Sequence, residues 1–333
     1  MSARFHHRVR SILTHVRPLF STAWLLASGA AFGGGAEYVL PENGDNVVGV
    51  VTTAIAEHED TLLDVGRRYG VGYEEIIAAN PGVDPWLPGA GTEILIPTRF
   101  ILPDAPREGV VVNLPEHRLY YYPPAKKGER RVVRTYPIST GKMDWKTPLG
   151  FTKIVSKQER PNWYPPPSVL AEHEARGDPL PKVVPPGPDN PLGEHAMRLG
   201  IPGGAYLIHG TNRPAGVGMQ VTHGCIRMFP EDIAELYGLV PVNTRVNLVD
   251  QTTKVGWQRG TLYVERHAPL EGTQDPSHND PAELTTRISA AIAGHSVEVD
   301  WSGAERAFLQ NTGVPVPLSV PLRAAQQPPA SPR

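Results

Sequence analysis

The spacing of apolar positions changes period along the chain, and the changes mark its units. Short β-like runs at 38–41 and 47–53 come first. Leu62, Val65 and Tyr69 then recur at helical spacing, and the glycines at 70 and 72 break it. A second short helix, Tyr73-Glu-Glu-Ile-Ile-Ala-Ala-Asn80, is stopped by Asn80-Pro81, and Glu93-Ile-Leu-Ile-Pro97 reads as a closing strand. Residues 37–100 thus read as a small α+β unit. From 108 to 250 the pattern is mostly β. Val110-Val-Val-Asn-Leu114 and Arg118-Leu-Tyr-Tyr-Tyr122 flank Pro115-Glu-His117 as a hairpin, and strands follow at 131–139, 150–155, 205–208 and 245–249. The one clear helix predicted in this unit is 230–237. Residues 251–325 form a C-terminal extension of open role, with a strand near 262–265, a helix over 282–293 and a strand at 296–300. The Pro- and Gln-rich end, 326–333, reads as a disordered tail.

Composition adds an address. Residues 1–36 carry Arg4, Arg8, Arg10 and Arg17, no acid, and an apolar run from Leu19 to Phe32 followed by small residues. That order predicts an export signal, so the remainder lies outside the cytoplasm, in the periplasm. An uncleaved membrane anchor is the alternative. The whole chain has a formal charge of -2, and without those four arginines the mature part has -6. This excludes the broad positive field of a nucleic-acid binder. The 36 prolines favour loops and irregular strands. They crowd into 160–195, a long loop whose Trp163 and Tyr164 suggest a lid.

The chain has one cysteine, Cys225. An isolated cysteine is ordinarily a small core residue. This one sits in Thr222-His223-Gly224-Cys225-Ile-Arg227, sixteen residues after His209 at the end of an apolar strand. A histidine and a positive field convert a thiol into a thiolate nucleophile. Gly224 allows a sharp turn whose amides can face an oxyanion. The two histidines lack the spacing and further ligands of a zinc site, so no metal and no cofactor are expected.

Ile208-His209-Gly-Thr followed by Thr222-His223-Gly224-Cys225-Ile-Arg227-Met228 resembles the signature of the YkuD-type L,D-transpeptidases, with Thr222 where Ser is commoner. Pro137-Ile-Ser-Thr-Gly141 and Lys146-Thr-Pro-Leu-Gly150-Phe resemble the family's strand-and-turn segment. Residues 61–97 resemble a LysM module, a binder of peptidoglycan or chitin glycan; a mere spacer is the alternative. The resemblance implies a β-sandwich-like catalytic domain over 108–250 that acts on peptidoglycan stem peptides. It implies Cys225 as nucleophile, His209 as proton donor and acceptor, and the Gly210 carbonyl as orienter of that imidazole. Thr222, His223, Gly224 and Arg227, with Trp163 and Tyr206, are expected to line the oxyanion and substrate-binding region. The acyl acceptor would be another stem, giving 3→3 cross-links, or the lysine of an outer-membrane lipoprotein. Hydrolysis of the same thioester, making an L,D-carboxypeptidase, and a non-catalytic wall-binding role are the alternatives. A papain-like protease fits neither the residue order nor the β pattern.

Overall fold

A computed structural model describes residues 35–142, 146–203, 206–273 and 275–321 of the chain. The expected C-terminal tail, and all of the expected export segment except Gly35 and Ala36, lie outside the described residues. Among the described residues no helix is long and apolar enough to cross a membrane.

The first unit contains strands β1 (Ala36–Val39), β2 (Val47–Gly49) and β3 (Thr52–Ile55). Helices α1 (Leu62–Arg68) and α2 (Tyr73–Ala79) follow, then β4 (Glu93–Ile96) and β5 (Arg99–Ile101). Thr61 and Asp64 form a reciprocal capping box at the start of α1. Asn80 ends α2 and ties it to β4, donating to the Leu95 carbonyl and accepting from its N–H. β3 and β4 pair antiparallel around the helices, over a core of Leu62, Val65, Ile76, Ile94 and Ile96. The expected strand near 38 does not pair inside this unit: β1 joins the large sheet through β8 (Val132–Pro137).

The second unit continues with β6 (Gly109–Asn113), β7 (Arg118–Tyr122), β8, β9 (Thr140–Gly141) and β10 (Gly150–Glu159). Helix α3 (Pro167–Ala175), β11 (His195–Leu199), β12 (Leu207–His209), β13 (Gln220–Thr222) and β14 (Ile226–Arg227) come next, then α4 (Pro230–Leu239) and β15 (Arg245–Val249). Nine strands form one sheet in the order β1-β8-β7-β6-β15-β10-β11-β12-β14. β10 is the fold line. Its first half pairs with β15 and its second with β11, with an irregularity at Ile154/Ser156. Such bulges bend a strand. Val110, Val112 and Leu248 from one half then share a core with Met197, Ile208 and Ile226 from the other, capped by Ile233 and Leu236 of α4. The expected sandwich is therefore a single sheet folded over. β6 and β7 read as unbroken apolar runs because both faces are covered: Val110 and Val112 point to this core, Val111 and Tyr120 to a second one with Phe100 and Val48. Helix α3, inside the Pro-rich loop, was not expected from the sequence.

The extension packs as a third unit. A hairpin of β16 (Thr253–Gln258) and β17 (Thr261–Arg266) turns at Arg259–Gly260, both with positive φ, the requirement of a tight primed turn. Helix α5 (Pro281–Ile292), β18 (Val297–Val299), α6 (Trp301–Gln310), β19 (Val316–Pro317) and β20 (Ser319–Pro321) complete it over Leu262, Val264, Leu284 and Ile288.

All three units meet at the β6–β7 turn. Lys254 of β16 is buried and lies 2.8 Å from Glu116 and 2.7 Å from Glu265, and donates to the Ile101 carbonyl at 2.7 Å. Burial opposes ionisation of Glu116, yet the Lys254 and His267 charges hold its carboxyl below the ordinary range. Glu116, Glu265 and His267 are spaced as metal ligands could be, but the ammonium already bonds both carboxylates. Lys254→Met leaves two buried carboxylates without their cation. It should lower stability by about 3–5 kcal/mol, the cost of removing one partner of a buried pair. Denaturant unfolding checks this, and Lys254→Met with Glu116→Gln and Glu265→Gln should recover part of the loss.

Candidate active site

β12 and β14 run parallel at one edge of the folded sheet, with Ile208 opposite Ile226 and His209 opposite Arg227. This register sets Cys225, just before Ile226, beside Leu207. The loop between the strands is fixed at several points. Thr222 Oγ1 donates to the Cys225 carbonyl at 2.6 Å, and Thr147 Oγ1 to the Gly224 carbonyl at 3.0 Å. Gly224 has φ +91°, a conformation glycine adopts without strain. Under the loop, β13 pairs in parallel with β9, Gln220 opposite Thr140 and Thr222 opposite Gly141. The strand-and-turn segments read at 137–141 and 146–151 thus form the bed of the cysteine loop. Arg227 and Ser139 exchange backbone hydrogen bonds of 2.8 and 3.2 Å, which fix the strand after the cysteine.

His209 is buried, and its Nδ1 lies 2.6 Å from the Gly210 carbonyl. A carbonyl only accepts, so Nδ1 carries the proton and Nε2 is left with its lone pair. Burial, and then the Arg227 charge, push the imidazole pKa down to about 3, against the opposing bond to Gly210. Cys225 is half-buried. Burial raises its thiol pKa; a hydrogen bond from the Leu207 backbone and the Arg227 charge only partly offset this. These shifts favour the neutral form of both the thiol and the imidazole at rest.

His223 faces helix α3 of the 160–195 segment instead. Its Nε2 is 3.1 Å from Glu172 Oε2 on α3, and burial, then Lys142 and Arg227, favour its neutral form. Trp163 anchors the lid through a two-way backbone bridge to Val184, both bonds 2.9 Å. Asn190, fully buried, donates to the carbonyls of Pro161, Val184 and Pro185 and accepts from Leu192 N–H. Tyr206 packs against the main core and accepts from Leu199 N–H through its carbonyl. The structure thus brings together His209, Gly210, Thr222, His223, Gly224, Cys225 and Arg227, places Trp163 at the base of the 160–195 segment and sets a partly buried Tyr206 against the core. Sequence reasoning missed Glu172, Lys142 and Thr147. Thr147 stood within a quoted motif, whereas nothing in the spacing of 160–195 marks Glu172.

Residues 107–248 match the YkuD family, the L,D-transpeptidase catalytic domain. The Escherichia coli strain K12 protein named "Probable L,D-transpeptidase YcfS" is 39% identical over 283 residues, 83% of this chain and 86% of that protein. "Probable L,D-transpeptidase ErfK/SrfK" of the same strain is 38% identical over 314 residues, 92% of this chain and 98% of that protein. The solved catalytic domain of the Enterococcus faecium L,D-transpeptidase shares 22% identity at a TM-score of 0.32, over 44% of this chain and 100% of that one.

A neutral resting pair has a measurable signature. Alkylation of Cys225 by iodoacetamide should keep rising through neutral pH toward a thiol pKa above the ordinary value, with no reactive plateau near pH 6. Thiolate absorbance near 240 nm followed against pH checks it, and a plateau at acid pH would mean an ion pair at rest.

Proposed function

The chain belongs to the YkuD family of L,D-transpeptidases, and from that footing we propose that it transfers acyl groups between peptidoglycan stem peptides through a thioester on Cys225. The observation that carries this reading is the His209 Nδ1 bond to the Gly210 carbonyl. It leaves Nε2 with its lone pair, on the strand that runs alongside the segment carrying the only thiol in the chain. On donor binding, the Cys225 proton passes to His209 Nε2 as sulfur attacks the carbonyl at the diamino acid's L-centre. The new imidazolium returns that proton to the amine of the departing D-alanine as the C–N bond breaks. The amine of an acceptor then attacks the thioester, giving its proton to Nε2, and the thiol is restored. A stem acceptor gives a 3→3 cross-link and a lipoprotein lysine gives attachment; water gives carboxypeptidase activity. Gly224 and the turn it makes offer backbone N–H groups to the oxyanion, with Arg227 nearby.

We read residues 37–100 as a LysM-like module that holds the enzyme on its glycan, outside the cytoplasm. Two helices between paired strands β3 and β4 support this. So does the exposed Trp86, whose ring lies 6.4 Å from that of Tyr73 and leaves an apolar face for a sugar ring.

Cys225→Ala should abolish turnover of a stem tetrapeptide. His209→Ala should lose on the order of 10²–10⁴-fold, the contribution of a positioned base, and His223→Ala should lose less. Mass spectrometry of the products, with and without an amine acceptor, checks both the order and the acceptor. Full activity of Cys225→Ala would end the thioester reading. Trp86→Ala should weaken pelleting with sacculi while leaving turnover of soluble tetrapeptide within about twofold; unchanged pelleting would count against the glycan role.

A further inference from the structure

Helix α3 brings one carboxylate to the cysteine loop. Glu172 Oε2 is 3.1 Å from His223 Nε2, and its Oε1 is 3.6 Å from Lys142 Nζ and ion-paired with Arg176 one turn on. These partners come from three segments: the lid helix, the residue after β9, and the loop that ends in Cys225. Lys142 is itself fixed to that loop, its N–H donating to the Thr222 carbonyl at 2.9 Å. His223 precedes the thiol by two residues. The lid does not need Glu172 to fold, because Asn190 and the Trp163–Val184 bridge already close it. A half-exposed ion pair also adds little stability. The convergence of cationic and N–H groups on one carboxylate beside a reacting thiol has a simpler use in recognition.

We propose that Lys142, Arg176 and His223 form a carboxylate subsite that takes the free C-terminal carboxylate of the acyl-donor stem, and that Glu172 fills it until the donor displaces it. This rests on the reading of Cys225 as the nucleophile. In a tetrapeptide donor the terminal carboxylate sits on the leaving residue, three bonds and roughly 4 Å from the carbonyl carbon that is attacked. That places it over the residues flanking Cys225. A stem lengthened by one residue carries its charge past the subsite, and an amidated stem carries none, so the cluster selects tetrapeptide donors. Glu172 competes with the donor for the same cations. It is thus a specificity residue, which acts by occupying the subsite and takes no part in bond making.

The test separates binding from chemistry. Stem tetrapeptides with a free or an amidated C-terminus are titrated by calorimetry into the full-length Cys225→Ala protein. Adding Glu172→Gln should tighten the free-acid stem several-fold and leave the amidated stem within about twofold. Adding Lys142→Met should weaken the free-acid stem about tenfold, the scale of one charge-assisted hydrogen bond, again without moving the amidated one. In the protein with its cysteine, Glu172→Gln should lower KM for the free-acid donor and leave kcat unchanged. Equal shifts for both stems, or weaker free-acid binding by Glu172→Gln, would reduce Glu172 to a lid contact and overturn the subsite. Wild-type turnover is scored separately, so loss of the transpeptidase reading and loss of the subsite give different results.

Discussion

The three units are held together by charges that none of them could bury alone. A carboxylate or ammonium taken out of water costs several kcal/mol unless its hydrogen bonds are replaced. Lys254 replaces them with Glu116 from the catalytic hairpin, Glu265 from the extension and the Ile101 carbonyl from the first unit. Arg118, at the other end of the same turn, is fully buried and bonds both oxygens of Glu75 on α2 at 2.7 and 2.8 Å, with the Gly70 carbonyl as a third partner. Both charges depend on neighbours in other units, so no unit can withdraw without leaving an unpaired charge behind. Apolar burial stabilises each unit, and the cluster of Val48, Phe100, Val111 and Tyr120 also joins the first two; the ionic contacts add directional constraints on how the units are placed.

That placement reaches the chemistry. The first turn of a helix leaves N–H groups without internal partners. In α2 the Tyr73 and Glu74 N–H groups donate to the Val217 and Gly218 carbonyls at 3.0 and 3.2 Å. Gly218, at φ +92°, approaches so closely that a Cβ there would lie 2.2 Å from Tyr73 N. Two residues later β13 begins and leads into His223, Gly224 and Cys225. Glu75, which binds Arg118, belongs to that same first turn. A buried ion pair, a helix terminus and the thiol loop therefore form one continuous set of contacts. The extension holds the other side: Gln220 and Glu271 exchange side-chain to backbone bonds of 3.1 and 2.8 Å, and Lys146 donates to the Gly272 carbonyl at 2.8 Å.

The chain's regular elements were legible where one physical signal decided them. Helical spacing at Leu62, Val65 and Tyr69, and the Asn80-Pro81 stop, placed α1 and α2 to within a residue or two. Val110 to Tyr122 read correctly as a hairpin, but the pattern carried no sign that its turn is buried. Asn113, Glu116, His117 and Arg118 are all buried there; the covering units lie far off in sequence and no local pattern reveals them. Helix α3 was hidden by the prolines around it; Pro167 occupies its first turn, where a missing N–H costs nothing. The thiol, both histidines and Arg227 were legible because they crowd into a short motif. Glu172 was not, since a lone glutamate in a loop acquires meaning only when the fold sets it against His223 and Lys142.

The resting electrostatics fit an enzyme that must meet its substrate before it becomes reactive. A thiol kept neutral by burial is protected from stray electrophiles, and an imidazole near pKa 3 cannot hold a proton taken from it for long. In the proposed mechanism, proton transfer to the imidazole becomes favourable when a developing oxyanion offsets the charge on the imidazolium. Arg227 disfavours a positive His209 at rest; in the proposed reaction its attraction to an oxyanion on the substrate would offset that repulsion. On the proposed mechanism, the group that suppresses ionisation at rest then favours it in the transition state, and the change of sign comes from the substrate's charge.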